Sequence, residues 1–314
     1  MKVKFHLPNF STQFKFNLVF LTMMEKCPHF LREGVEIASL FGVFPPSMWN
    51  GGRTQGGTCD KGFISTVLNT INGKGIPLRF TFTNPMLEKK HLSDDFCNMV
   101  LAMANNGLNE VIVVSPILED YIRRNYPKYK ITSSTCKRLD SVEALNAELK
   151  KDYNLVVMDY DLNNKFDLLE QVEDKSRCEI LVNACCMPKC KNRVDHYRSI
   201  GLQQIAYCEH LKKHPNVPFD AEAAVLPEYR HILSCPTMDL THFDIRKHAT
   251  HITPDDIWEK YVPMGFQHFK IEGRTSTMIT LMETYLYYMV KPECRDEARF
   301  LLMMNLRENG VMNF

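Results

Sequence analysis

Short apolar runs rich in β-branched residues alternate along this chain with segments of helical periodicity. The runs are Val35–Phe41, Leu78–Asn84, Val111–Ser115, Ile131–Cys136, Leu155–Asp161, Ile180–Cys185, His231–Cys235 and His268–Arg274, and each reads as a strand. After Ser93, Phe96, Met99, Val100, Met103 and Ala104 trace one helical face, and Gly107 is placed to close that helix. Asp140 with Glu143 resembles a capping box leading into Val142, Leu145 and Leu149. Thr253-Pro254-Asp255-Asp256 supplies an N-cap, a proline at the first helical position and acids in the first turn, with Gly265 at the end. A further helix is predicted from about Thr277 to Met289, and a short one near Arg295–Leu306.

Eight strands alternating with helices predict an α/β fold, a closed (β/α)8 TIM-type barrel, with an open doubly wound sheet as the rival. The expected organisation is one barrel domain over residues 1–314, ending in a helical tail at 290–314. Predicted strands three to six begin 20 to 25 residues apart, yet about fifty separate Ile180 from His231. The excess, residues 186–230, reads as an insertion between the sixth and seventh predicted strands. Departures beyond the C-terminal ends of barrel strands are where chemistry is usually placed.

Charge adds little: 38 Lys and Arg against 37 Asp and Glu give a net +1, which suggests neither a nucleic-acid scaffold nor a membrane surface. The apolar run Leu18–Met24 is too short to span a bilayer, and Glu25, Lys26 and Cys27 follow it instead of a cleavage site. Residues 12–31 are therefore read as a surface or capping helix of a cytoplasmic protein. Cysteine usage changes the picture more. Of eleven cysteines, Cys185, Cys186, Cys190, Cys208 and Cys235 fall in one fifty-residue stretch. An odd number without an export signal argues against a disulfide framework.

Cys186 and Cys190 are three residues apart around Pro188, Cys208 follows, and Cys235 ends the seventh predicted strand beside Pro236. Four soft thiolates at one barrel mouth suit a four-iron four-sulfur cluster, with a four-cysteine zinc site as the alternative. Structural zinc more often uses two tight pairs, which favours the cluster. Strand alternation and the spacing to Cys190 favour Cys186 over Cys185 as the ligand. The competing reading is a set of buried core thiols.

The segment Leu181-Val182-Asn183 with Cys186, Pro188, Cys190, Arg193, His196 and Tyr197 resembles a branch of the collagenase-like peptidases, peptidase family U32. So do Ile252–Asp256 with Gly265-Phe266 and Phe269–Arg274, and the run Pro77–Pro85. The likeness covers most of the chain. It implies a barrel-like catalytic domain and, as in several characterised members, a four-cysteine iron–sulfur cluster. Some members are called peptidases; others take part in oxygen-independent hydroxylation of RNA bases or of a quinone precursor. The peptidase-associated motif, with Glu, Gly and Cys ahead of a closing Ser, is replaced here by LVNACC.

Lys270, Glu272 and Arg274 alternate with apolar residues, so they are expected to share the lumen face, joined by Arg79 and Thr81 and by Glu36. Arg79, Lys270 and Arg274 exceed Glu36 and Glu272 by one charge, enough to receive an anionic substrate group. An internal ion-pair network is the alternative. Arg53, after Asn50-Gly51-Gly52, can clamp a carboxylate or phosphate at the same mouth, with Asn84 and Asn183 as further substrate-binding candidates. His196 lies close to Cys190, and Asp159 is a candidate acid–base group. Walker, dinucleotide-binding, nucleophile-elbow and radical S-adenosylmethionine motifs are absent.

The expectation is an iron–sulfur enzyme performing redox chemistry or oxygen-independent hydroxylation on a small or RNA-borne, anionic substrate, with an electron donor supplied from outside. One alternative is a collagenase-like peptidase. Another is a non-catalytic subunit with a structural four-cysteine metal site, working with a protein partner or as a homo-oligomer.

Overall fold

The computed structural model describes residues 2–235 and 240–312. Its eight strands are β1 (Val3–Pro8), β2 (Val35–Gly42), β3 (Leu78–Phe82), β4 (Glu110–Val113), β5 (Lys130–Ser133), β6 (Leu155–Val157), β7 (Cys178–Leu181) and β8 (His268–Lys270). Each lies parallel to the next, and β8 returns to β1, so the sheet closes. The first seven helices are α1 (Phe14–Lys26), α2 (Lys61–Gly73), α3 (Asp95–Met103), α4 (Pro116–Asn125), α5 (Val142–Leu149), α6 (Phe166–Leu169) and α7 (Arg193–Lys213). The fold is a (β/α)8 TIM-type barrel.

Alternation sorts the strand side chains. Phe5, Leu7, Phe80, Phe82 and Phe269 belong to the hydrophobic shell between strands and helices. Each such buried side chain stabilises the fold by about 1.5–3 kcal/mol. His6, Arg79, Thr81, Glu179 and Lys270 take the intervening positions and are buried in the lumen.

Two predictions change places. His231–Cys235 is not a strand, because residues Pro227–Ser234 form a 3₁₀ segment in which Ile232 is the buried residue. A run with one buried position has no apolar face to offer a barrel wall. The missing strand is β1, where Lys4 and His6 interrupt Val3, Phe5 and Leu7 with period two. Residues 12–31 are likewise no surface helix: α1 buries Phe16, Val19, Phe20, Met23 and Met24 and forms the first element of the outer ring.

The cysteine-bearing region therefore lies between β7 and β8. It holds α7, the 3₁₀ segment, α8 (His242–Ile245) and α9 (Pro254–Asp256), which runs on as a π turn over Ile257–Tyr261. Thr253 caps α9 as expected, while Ser141, not Asp140, caps α5. After β8 come α10 (Met278–Met289) and α11 (Arg295–Glu308), the latter burying Ala298, Leu302 and Leu306. Among the described residues no helix is long and apolar enough to cross a membrane.

Candidate active site at the barrel mouth

The lower lumen is a closed ion-pair network. Arg79 bonds Glu179 through Nη1, lies 3.2 Å from Glu110 through Nε, and donates to Thr132 Oγ1 at 2.9 Å. Lys270 Nζ stands 3.0 Å from Glu179 and 4.2 Å from the Phe41 ring centre. Burial opposes ionisation of Glu179, but Arg79 and Lys270 outweigh it and hold its carboxyl well below the usual range. His6 joins through Ser39 at 2.6 Å and His268 at 2.9 Å, and burial keeps it neutral. Arg79, expected to bind substrate, is fully buried, paired with Glu179 and Glu110, and does not line the cavity above. Glu36 lies outside this network: it is partly exposed and bonds Lys2 at 2.8 Å.

Above this floor is a cavity of about 70 Å³ lined by Arg53, Thr81, Tyr160, Cys186, Lys270 and Arg274, among others. Arg274 is the unusual member. Its guanidinium donates to Asn50 Oδ1 and Thr81 Oγ1, both at 2.9 Å, and to the Gly51 carbonyl at 2.7 Å, and it makes no ion pair among the described residues. Burial, with Arg53 nearby, lowers its pKa to about 10. Burial likewise brings Lys270 down to about 8, against the pull of Glu179. Four cations, Arg53, Arg79, Lys270 and Arg274, thus face three carboxylates, Glu110, Glu179 and Glu272. Arg274, at the mouth, is the member with no carboxylate partner among the described residues.

Glu272 is the organiser of that mouth. It pairs with Arg53 and accepts from the Cys185 backbone at 2.9 Å and the Cys185 thiol at 3.2 Å. Arg53 also reaches Cys185 Sγ at 2.7 Å, so its clamp is occupied from within. Asn183, expected to bind substrate, exchanges two hydrogen bonds with the Glu272 backbone and holds that residue in place. Asn84 is a staple as well: its amide bonds the Met48 and Gly201 carbonyls and the Met86 N–H.

A second cavity, of about 240 Å³, adjoins the first and shares Cys186 as a wall. Cys190, Cys235, His196 and His231 also line it. A hydrogen bond from Cys185 lowers the Cys186 pKa to about 6 against the opposing effect of burial, and Arg53 and the Tyr160 hydroxyl assist. The same bond raises Cys185 well above the thiol range. The Cys190 turn is held by Asp161, which accepts from Lys189 N at 2.8 Å. Asp159 is not free for acid–base work: it is buried and bonds Arg193 at 2.6 and 3.1 Å. Cys208 is not brought to the other three thiols; it is buried in the main core on α7, with Gln204 at 3.9 Å. Pro236 lies outside the described residues.

The donor chemistry of the second cavity, three thiols and two imidazoles, fits an iron–sulfur cluster or zinc. Among the described residues no three His, Cys, Asp or Glu side chains are already grouped to hold a metal ion. The four-thiol set with Cys208 does not fit this arrangement. Sequence reasoning missed Glu179, a charged residue within an apolar strand and so the same signal that marked Lys270. It also missed Tyr160, which no motif marks, and gave no role to Tyr197, named only within the family-like segment; both line the lumen cavity.

A charged lumen, an arginine without a carboxylate partner and a thiol-lined annex meet at the C-terminal mouth of this parallel barrel, the face on which characterised TIM-barrel enzymes carry their sites. No protein-family model matches the chain. An uncharacterized protease of Methanocaldococcus jannaschii, MJ1657, is 23% identical over 183 residues, covering 57% of this chain and 49% of that protein. The chain thus spans about half the length of that relative. The solved structure of the U32 peptidase Mk0906 matches with a TM-score of 0.53 at 11% identity, over 86% of this chain and 92% of that one. The latter likeness is one of fold.

Proposed function

We propose that this chain is an enzyme that binds an anionic substrate group at Arg274 and works beside an iron–sulfur cluster in the thiol cavity. The observation that carries the reading is Arg274 itself, a half-buried guanidinium without a carboxylate partner among the described residues, in a cavity whose wall Cys186 belongs to the thiol annex. A guanidinium held only by neutral acceptors in a partly desolvated cavity is placed to receive an anionic group. When bound, a cluster supplies one-electron redox chemistry next to that substrate, with the donor coming from outside. The residues of the chain do the rest: Arg274 orients the anion, Lys270 holds a proton that it can release near pH 8, and Tyr160 and Tyr197 exclude water.

Two measurements test this. Anaerobically purified protein should contain iron and acid-labile sulfide, and its absence would end the cluster reading. Benzoate or inorganic phosphate should raise the melting temperature while neutral benzamide does not. Arg274→Met should weaken that binding by about 10- to 100-fold, the value of a charge-assisted hydrogen bond.

The names of both relatives favour a second reading, a collagenase-like peptidase. Peptide cleavage that survives Cys186→Ala and Cys235→Ala but is lost in Arg274→Met would establish it over the first.

A further inference from the structure

The ligand set of the thiol cavity differs from the four cysteines that the sequence groups. Three chain segments bring thiols to it: Cys186 follows β7, Cys190 sits in the next turn, and Cys235 ends the 3₁₀ segment. The turn is anchored from below. Cys190 N donates to the Met187 carbonyl at 3.2 Å, Lys189 N to Asp161, and Arg193 ties Asp161 to Asp159.

The two imidazoles that line the cavity are not equivalent. His231 is engaged at both nitrogens, with the Glu228 carbonyl at 3.0 Å and the Asp195 carboxylate at 3.6 Å. His196 is half-buried in the first turn of α7, on the wall between this cavity and the neighbouring one that Arg53 and Cys185 line. Its ring takes part in no hydrogen bond or ion pair among the described residues. A half-buried imidazole with neither nitrogen engaged is a donor without an assignment.

Cys208 lies twelve residues beyond His196 on the same continuous helix, about 18 Å further along its axis at 1.5 Å per residue. Beside it, Lys212 bonds Asp94 at 2.8 Å, and its thiol is part of the hydrophobic core. Closing the Cys190 turn cannot bridge that length; α7 would have to unwind.

We propose that the cavity is a metal site of three thiolates and one imidazole, Cys186, Cys190, Cys235 and His196, in which Cys208 takes no part. It rests on the cofactor reading above and replaces one ligand of the set expected from sequence. The side chains line one space without yet meeting, and ligand sites of this kind are drawn together by the metal they bind. Soft thiolates with one imidazole suit an iron–sulfur cluster or zinc.

The test uses the full chain prepared without oxygen, as wild type and as Cys186→Ser, Cys190→Ser, Cys208→Ser, Cys235→Ser and His196→Ala. Iron, sulfide and zinc are measured per chain, and circular dichroism checks that each variant is folded. Cys208→Ser should keep the wild-type metal content, while the other three serine variants fall to about a fifth or less. With a cluster, pulsed electron paramagnetic resonance of the reduced protein should show a directly bound nitrogen that disappears in His196→Ala. With zinc, X-ray absorption should report three sulfurs and one nitrogen, which would keep the ligand set while overturning the cluster. Metal-free wild type would overturn both the cofactor reading and this ligand set. A folded Cys208→Ser variant that loses metal as fully as Cys186→Ser, or an all-sulfur site, would overturn the ligand set alone.

Discussion

Asn183 and Glu272 are joined as if they were one more rung of the β7–β8 ladder. The Asn183 amide donates to the Glu272 carbonyl at 3.0 Å, and the Glu272 N–H donates back to Asn183 Oδ1 at 2.7 Å. The strands end at Leu181 and Lys270, so a side chain carries the pairing on to the residue that holds Arg53 and Cys185. Asn183→Ala should lower stability by about 1–3 kcal/mol, because the Glu272 N–H and carbonyl lose their partners away from water. Urea denaturation measures it. A variant as stable as wild type would show that Glu272 is held by other contacts.

The lumen floor makes a sharper prediction. Glu179 is the shared partner of Arg79 and Lys270 and is completely buried. Glu179→Gln should cost about 3–5 kcal/mol, since it leaves buried cations unpaired. The same variant frees Lys270 at the base of the mouth cavity and should tighten binding of small anions. Thermal melts with and without phosphate read both effects.

Acid should weaken the fold before the carboxylates titrate. Burial lowers His242, His251 and His268 to about 4 and holds His6 well below its usual value, whereas an unfolded chain has histidines near 6.5. As pH falls through 6.5 the unfolded state takes up protons first, so stability is full above that value and declines toward pH 4. Glu148, held near 2 despite burial by Lys137 and Lys151, adds its loss only below about 4.5. Glu110 and Asp159, raised by burial, act in the opposite sense. His268→Asn should flatten the melting-temperature profile between pH 6.5 and 4.5; an unchanged slope would remove His268 from the account.

Gly51 supplies the carbonyl that Arg274 bonds, and a methyl group there would collide with the Thr83 carbonyl. Gly51→Ala should destabilise by about 1–3 kcal/mol, as overpacking does. It should also weaken anion binding by displacing the Gly51 loop from Arg274. Paired denaturation and binding measurements check whether both change together.

Much of the barrel was legible because its cause is local. Period-two alternation in β3 and β8, the cap at Thr253 and the helix beginning near Thr277 follow from neighbouring residues alone. β1 escaped because Lys4 and His6 read as a polar interruption, although inward-facing polar residues are what a charged lumen requires. His231–Cys235 resembled a strand because a short apolar run carries no record of whether a second face will be covered.

By itself, the sequence determined the closed α/β barrel, the helix start at Thr253, the convergence of Lys270, Glu272 and Arg274 on one face, and the closeness of Cys186 to Cys190. These depend on periodicity and short spacing. Tertiary structure alone decided which charges cancel: it removed Glu36, brought in Glu179 and Glu110, and left Arg274 without a carboxylate. It also decided which cysteines share a cavity, burying Cys208 in the core far along α7 while Cys186 lines the thiol cavity. Pairing energies depend on distances between residues far apart in sequence, and those distances exist only once the barrel has closed.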